Sequence, residues 1–141
     1  MKAFFVSKRL AFGSAIKTWN HVEKLEAQGI THVINLRCIH NRKIRHFQHA
    51  WLPFKDNAKP RPHWFYACAL EFYSKAMKNS KAKVFVMCRH GVCRSASLAY
   101  FLIRSSGVSP KKAEARVRRA RPNIRIARAY RESGDEFLRL S

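Results

Sequence analysis

Acidic residues are scarce in this sequence of 141 residues, which holds 8 Asp and Glu against 29 Lys and Arg, a formal net charge of +21. Long apolar runs are also missing, since no segment approaches the ~20 apolar residues that a membrane span needs. The apolar run before Lys8 and Arg9 is too short for a signal peptide. We therefore expect a soluble, cytoplasmic protein whose surface attracts anionic partners.

Repeats, low-complexity tracts and linkers are absent as well, so we expect a single domain over 1–141. Hydrophobic residues make up 47% of the chain, which is enough for a core and argues against disorder. The four cysteines are Cys38, Cys68, Cys88 and Cys93. In a reducing compartment we expect all four to be free thiols in the resting protein. Cys38 and Cys68 are interpreted as structural, although either could instead form a disulfide with a reactive cysteine.

Apolar stretches alternate with amphipathic ones along the chain, which is typical of a layered α/β domain. Strands are predicted at 3–6, 31–36, 49–54 and 83–87. Helices are predicted from the cap Ser14 to Gly29, around Phe65–Ala76, over 95–106, from the cap Ser109 with Pro110 onward, and over about 125–139. The prolines and polar residues of 55–62 indicate a loop.

The loop Cys88–Arg94, with the sequence CRHGVCR, separates an apolar strand from an apolar helix. A helix N-terminus carries unpaired amides and partial positive charge, and Gly91 allows the loop to curl so that its amides converge on an anion. Arg94 adds a guanidinium suited to two phosphate oxygens. The same field favours the thiolate of Cys88, and a thiolate is a nucleophile. The loop therefore predicts attack of sulfur on phosphorus.

The segment CRHGVCRS resembles the Cys-x5-Arg-Ser/Thr signature of cysteine-dependent protein phosphatases. The stretches 10–37 and 120–130 resemble the dual-specificity branch of that superfamily, as a compact, atypical member. The resemblance implies a three-layer fold with a central mixed, mostly parallel sheet flanked by helices. It also implies a cysteinyl-phosphate intermediate and no metal or other cofactor.

A general acid is needed for the leaving oxygen, and the chain has only two aspartates, Asp56 and Asp135. Asp56 lies in the loop 32 residues before Cys88, where family members carry their acid, so we assign it that role; a solvated loop aspartate is the alternative. Ser95 is expected to place its hydroxyl near the Cys88 sulfur, to cap the helix, or both.

Phosphate binding is expected from the loop residues Arg89, His90, Gly91, Val92, Cys93 and Arg94. Cys93 could form a peroxide-driven disulfide with Cys88, or be only a small buried side chain. His90 near two cysteines matches no usual zinc spacing, so no metal is predicted.

The family usually has His before its nucleophile where this chain has Met87. We therefore expect an active enzyme in which the Cys88 thiol is less acidic than in the family.

The predicted reaction is hydrolysis of phosphate monoesters in proteins, phosphotyrosine at least as well as phosphoserine and phosphothreonine. The alternatives are an RNA 5′-phosphatase or phosphoinositide phosphatase with the same chemistry, or a non-catalytic phosphate-binding module. The basic excess keeps RNA or another polyanion open as a partner, although no aromatic RNA-binding motif is evident. Candidate walls of the cleft are His63, Trp64 and the segment 123–128.

Overall fold

The computed structural model describes residues 1–141 and contains five strands and five helices. The strands are β1 (Phe4–Ser7), β2 (Leu10–Gly13), β3 (His32–Asn35), β4 (Gln48–Trp51) and β5 (Val84–Met87). The helices are α1 (Trp19–Ala27), α2 (His63–Met77), α3 (Arg94–Ser105), α4 (Pro110–Ala120) and α5 (Arg128–Leu140), with a 3-10 turn at Ile44–His46. No helix is long and apolar enough to cross a membrane.

The five strands form one sheet in the order β1-β2-β5-β3-β4. Only β1 is antiparallel to its neighbour; β2, β5, β3 and β4 run parallel. The predicted mixed, mostly parallel sheet is thus confirmed. Since β5 lies between β2 and β3, the segment that follows it emerges at the centre of the sheet's carboxyl edge, where α/β proteins place their ligand sites.

The side chains of β5 alternate between two apolar layers, as the period of a strand requires. Val84 and Val86 face the larger layer, which packs against α2, α3, α4 and α5. Phe85 and Met87 face the smaller layer on the opposite side, with Val22 and Leu25 of α1. Helices therefore cover both faces of the sheet, and the expected three-layer α/β architecture is confirmed.

The segment between β1 and α1 differs most from the sequence-based expectation. Residues 10–13 form β2, a strand that the sequence pattern does not predict. Four residues are too few to show the alternation that identifies a strand. Ser14 consequently pairs with His90 in an isolated bridge and does not cap a helix. The cap of α1 is Thr18, whose hydroxyl accepts from the His21 amide at 3.1 Å.

The other predicted elements are present with shifted ends. The strand expected over 49–54 ends at Trp51, ahead of Pro53. The last helix, expected from about residue 125, begins at Arg128. Ser109 caps α4 through its hydroxyl and Pro110 is the first helical residue, both as predicted.

Asp135 joins α5 to α3. Its carboxylate accepts from the Tyr100 hydroxyl at 3.1 Å and from Nε of Arg104 at 3.1 Å. Burial and this carboxylate raise the pKa of Tyr100 to about 12, so the phenol stays a donor. Asp135 is therefore committed to a helix–helix contact.

We predict that Asp135→Asn lowers the free energy of unfolding by about 1–3 kcal/mol, because it removes the charge from hydrogen bonds made in a half-buried site. Urea unfolding measures the loss. Glu136→Gln, at the neighbouring exposed position on α5, is the matched control and should change stability by less than about 0.5 kcal/mol. Equal stabilities of the two variants would contradict the role given to Asp135.

Candidate active site

The predicted phosphate loop lies between the end of β5 and the start of α3, with Cys88 directly after the strand and Arg94 as the first helical residue. A cleft of about 510 Å³ opens above it. The residues that line this cleft are Asp56, Cys88, His90, Val92, Cys93, Arg94, Asn123, Ile124 and Arg125. Six of the predicted site residues therefore come together at one concavity.

Backbone hydrogen bonds on the outside of the loop fix its orientation. The Arg89 carbonyl accepts from the Ala15 amide at 3.3 Å, and the Val92 carbonyl accepts from the Arg125 amide at 2.9 Å. These bonds occupy the carbonyls at both ends of the central loop stretch, and between them the Gly91 amide donates to the Cys88 sulfur at 3.3 Å. An array of inward amides is a nest for an anion.

Arg121 anchors the middle of the loop. Its Nη1 donates to the carbonyls of His90 at 3.1 Å and Gly91 at 2.9 Å, while its guanidinium lies 4.6 Å from the centre of the Phe4 ring. The sequence suggested only a basic surface residue here. Its structural role could not be predicted, because the carbonyls that it binds lie thirty positions earlier in the chain.

Gly91 is the one loop position that admits no side chain. Its φ of +68° lies in the left-handed region. A Cβ atom there would lie 2.5 Å from the carbonyl carbon of Gly13 and 2.7 Å from the Ser14 amide. The curl of the loop therefore requires glycine on both conformational and steric grounds.

Cys88 lines the floor of the cleft, and the residue as a whole is 3% exposed. The Gly91 amide donates to it at 3.3 Å, and the Ser95 Oγ lies 3.2 Å from it. The same serine oxygen is 3.4 Å from the Gly13 carbonyl, so its proton can be directed either to that carbonyl or to an ionised sulfur. Ser95 is fully buried and is the second residue of α3. The capping role considered for it is wrong, because the N-cap position is Cys93 and the Ser95 hydroxyl contacts the Cys88 sulfur and the Gly13 carbonyl instead.

Arg94 connects the phosphate loop with the segments around it. Its Nη1 donates to the Phe54 carbonyl at 2.9 Å and lies 3.5 Å from the Leu36 carbonyl. These bonds place the guanidinium beside the entrance to the Asp56 loop. Nε and Nη2 make no hydrogen bond within the protein, so they are available to an oxyanion.

The loop that carries Asp56 is held by α5. The Tyr130 hydroxyl accepts from the Ala58 amide at 2.7 Å and lies 3.4 Å from Oδ1 of Asp56. Farther along, the Arg61 amide donates to Ser133 Oγ at 3.2 Å. The Arg61 guanidinium stacks 5.0 Å from the Phe54 ring. These contacts hold the loop in the position in which Asp56 lines the same cleft as Cys88.

The remaining predicted residues take different positions. His90, Val92 and Cys93 line the cleft, whereas the Arg89 side chain lines a neighbouring pocket. Burial raises the pKa of the Cys93 thiol, although a hydrogen bond from the Ala127 amide opposes the shift. Cys68 lies on α2 and is exposed, so it is not part of the core and the structural role expected for it is wrong.

The walls of the cleft were predicted in part. Asn123, Ile124 and Arg125, from the segment before α5, do line it. His63 and Trp64 do not, because the His63 ring packs against Phe137 and Trp64 is exposed at the start of α2.

A second, smaller pocket of about 310 Å³ adjoins the cleft and shares Asp56 and Arg94 with it. Its other lining residues are Arg37, Cys38, Ile39, Lys55 and Arg89. Cys38, expected to be structural, is instead exposed at this pocket. Sequence reasoning did not find the pocket, because its basic residues come from three loops that are distant in the chain.

Taken together, the cleft offers a sulfur at its floor, backbone amides and a guanidinium around it, and a carboxyl group on its rim. Such a set can hold a tetrahedral dianion above a sulfur nucleophile, with a proton donor on the leaving side.

Comparisons with known proteins agree with this geometry. The family model "Dual specificity phosphatase, catalytic domain" matches residues 12–133. Dual specificity protein phosphatase 1 of Homo sapiens is 33% identical over 101 residues, 70% of this chain and 27% of that protein. The chain thus spans about a quarter of the length of the curated relatives that it matches.

Solved structures share the fold at low identity. A crystal structure of PTPMT1 matches with a TM-score of 0.83 at 17% identity, over 99% of this chain and 95% of that one. Tk-PTP in its active form matches with a TM-score of 0.82 at 19% identity, over 97% and 96%. Because the catalytic-domain model spans most of the chain, this protein belongs to the dual specificity phosphatase catalytic domain family.

Proposed function

We propose that residues 1–141 form one catalytic domain that hydrolyses phosphate monoesters in proteins, phosphotyrosine and also phosphoserine and phosphothreonine, through a cysteinyl-phosphate intermediate. The observation that supports this most directly is the placement of the Cys88 sulfur at the floor of a cleft that Arg94 and Asp56 also line. Family membership supports the phosphatase reaction.

In the first step the Cys88 thiolate attacks phosphorus, and the bond to the leaving oxygen breaks as the S–P bond forms. The amides of 90–93, each preceded by a carbonyl that Ala15, Arg121 or Arg125 binds, act together with the free Nε and Nη2 of Arg94. They stabilise the equatorial oxygens, where charge develops. Asp56 gives its proton to the leaving alkoxide or phenoxide. The Gly91 amide donates to the sulfur at 3.3 Å and so holds the attacking atom in position.

In the second step water attacks the phosphorus of the cysteinyl phosphate. Asp56, now ionised, takes the proton of that water, and the S–P bond breaks to release inorganic phosphate. Ser95 assists this step because its Oγ lies 3.2 Å from the sulfur, where its hydroxyl can donate to the departing thiolate. A donor at that position makes sulfur a better leaving group.

We predict that Cys88→Ser lowers kcat for p-nitrophenyl phosphate by at least about a thousandfold, since a neutral hydroxyl replaces the ionisable nucleophile. Steady-state turnover measures the loss. Cys68→Ser is the matched control, because that thiol is exposed outside the cleft, and it should keep wild-type turnover. Equal rates for Cys88→Ser and wild type would leave only a phosphate-binding module.

Asp56→Asn is predicted to lower kcat on a phosphotyrosine peptide by about a hundredfold or more, because no proton reaches the leaving phenoxide. Steady-state turnover of the peptide measures the loss. Asp135→Asn is the control, since that carboxylate is bound to Tyr100 and Arg104, and its kcat should stay near that of wild type. A wild-type kcat in Asp56→Asn would disprove the assignment.

We also propose a redox role for the second cysteine of the loop. Hydrogen peroxide would oxidise the Cys88 thiolate to a sulfenic acid, being itself reduced, and the Cys93 thiol would then attack that sulfur and release water. The proposal is supported by the presence of both thiols on one cleft. Because burial raises the pKa of Cys93, Cys88 is expected to react with peroxide first.

After peroxide treatment we expect a Cys88–Cys93 disulfide by mass spectrometry and full recovery of activity with a thiol reductant. Cys93→Ser should instead lose activity irreversibly, as Cys88 proceeds to the sulfinic acid. Cys38→Ser tests the neighbouring exposed thiol and should still recover. If Cys38→Ser fails to recover and Cys93→Ser recovers, the disulfide partner is Cys38 and this proposal is wrong.

A further inference from the structure

The segment 55–60, which carries Asp56, is anchored at its ends and exposed between them. Phe54, directly before the segment, is buried, and the amide of Arg61, directly after it, donates to Ser133 Oγ at 3.2 Å. All six residues of the segment itself are exposed, so no apolar burial fixes the path of its backbone. The position of the carboxyl group therefore depends on hydrogen bonds.

The Tyr130 hydroxyl is the only group outside segment 55–60 with which this segment forms hydrogen bonds. The hydroxyl oxygen accepts from the Ala58 amide at 2.7 Å. Its own proton has two acceptors in reach, the Lys55 carbonyl at 3.3 Å and Oδ1 of Asp56 at 3.4 Å. One phenol thus contacts the backbone on both sides of the acid, and the acid itself.

Ala58 adopts a backbone conformation that residues with a side chain avoid. Its φ is +56°, and no other residue of the chain except glycine has a positive φ. Crowding between Cβ and the backbone makes this conformation costly, so it persists only where the surroundings enforce it. The bond from the Ala58 amide to Tyr130 is the contact that can do so here. The gain from one hydrogen bond and the cost of one left-handed alanine are similar in size.

We propose that Tyr130 is the positioning residue for the proton donor: its hydroxyl holds Ala58 in the left-handed conformation, and this fixes the place of Asp56 in the cleft. The proposal rests on the role of general acid proposed above for Asp56. Tyr130 makes no hydrogen bond to Cys88 or to the phosphate loop, so its hydroxyl acts on the reaction through Asp56.

The hydroxyl can fix an exposed segment because Tyr130 is itself held firmly. The residue is 2% exposed, and its ring packs edge-on against Phe54 with the ring centres 4.6 Å apart. Its carbonyl accepts from the Tyr66 hydroxyl at 3.0 Å, which connects α5 with α2. Burial raises the pKa of Tyr130, so the phenol keeps its proton and remains a donor.

The test uses two substrates that differ in their need for a proton. The phenoxide that leaves phosphotyrosine is a strong base and requires one, whereas 2,4-dinitrophenoxide is a weak base and leaves without it. For both substrates kcat/KM covers the steps up to formation of the cysteinyl phosphate. A displaced Asp56 therefore slows only the first substrate, whereas damage to Cys88 or the phosphate loop slows both.

Tyr130→Phe is expected to lower kcat/KM for a phosphotyrosine peptide about tenfold, the effect of one hydrogen bond, and to change kcat/KM for 2,4-dinitrophenyl phosphate less than about twofold. In Tyr130→Phe/Asp56→Asn the loss on the peptide should equal that of Asp56→Asn alone, because an absent donor cannot be misplaced. Tyr100→Phe is the matched control. It removes the hydroxyl of another buried tyrosine, which is bonded to Asp135, and should leave the ratio of the two kcat/KM values unchanged.

Ala58→Gly tests the strained conformation. Glycine adopts a positive φ without the steric cost, so it needs no hydrogen bond to enforce it. Addition of Ala58→Gly to Tyr130→Phe is expected to return kcat/KM for the peptide to within about threefold of wild type. Ala58→Gly alone should stay within about twofold of wild type. Damage elsewhere in Tyr130→Phe would not be repaired by this change.

The proposal is overturned if Tyr130→Phe keeps the wild-type kcat/KM on the peptide, if it slows both substrates equally, or if Ala58→Gly does not restore the peptide reaction. It is also overturned if the losses of Tyr130→Phe and Asp56→Asn multiply in the double variant. In each of these cases Asp56→Asn alone still slows the peptide. Failure of the proposed function differs, because Asp56→Asn or Cys88→Ser would then react like wild type.

Discussion

The outward bonding of the phosphate-loop carbonyls is the constraint on which the rest of the site depends. A peptide plane has its carbonyl and its amide on opposite sides, so fixing one fixes the other. Arg121 holds two consecutive carbonyls, and the backbone of Ala15 and Arg125 holds those on either side. Gly91 allows the chain to follow this path against Gly13 without a clash. The cradle is thus imposed from outside the cleft, and is in place before any anion arrives.

The parts of the site that are neighbours in the chain could be predicted from the sequence. The contacts made by residues far away in the chain could not. Strand β5, the glycine of the loop and the buried helix α3 are neighbours in the chain, and their apolar and glycine pattern is enough to identify them. The position of Asp56 at the cleft could be predicted because the chain has only two aspartates, and one lies in a polar loop where the resembled family carries its acid. Arg121 and Tyr130, in contrast, act on backbone atoms thirty or more positions away, and a single sequence carries no signal for such contacts.

Strand β2 was missed for a related reason. Its burial is complete on both faces, so it has no alternating pattern, and four residues are too few for any other period to appear. Its omission mattered for the site, because the carbonyl of Gly13 accepts from the Cys88 amide at 3.2 Å and lies beside Ser95. The fold class could be predicted without this strand, but the hydrogen bonds around the Cys88 sulfur could not.

Met87 illustrates how the alternation of a strand limits the effect of an unusual residue. It lies next to Cys88 in the chain, but its side chain is fully buried in the smaller apolar layer, on the opposite face of the sheet from the larger layer that includes Cys88. Its carbonyl still accepts from the Leu36 amide at 2.9 Å, so the strand keeps its place in the sheet. The polar contacts of the Cys88 sulfur therefore come from the Gly91 amide and the Ser95 hydroxyl, since the thioether of Met87 lies in the other layer and has no proton to donate.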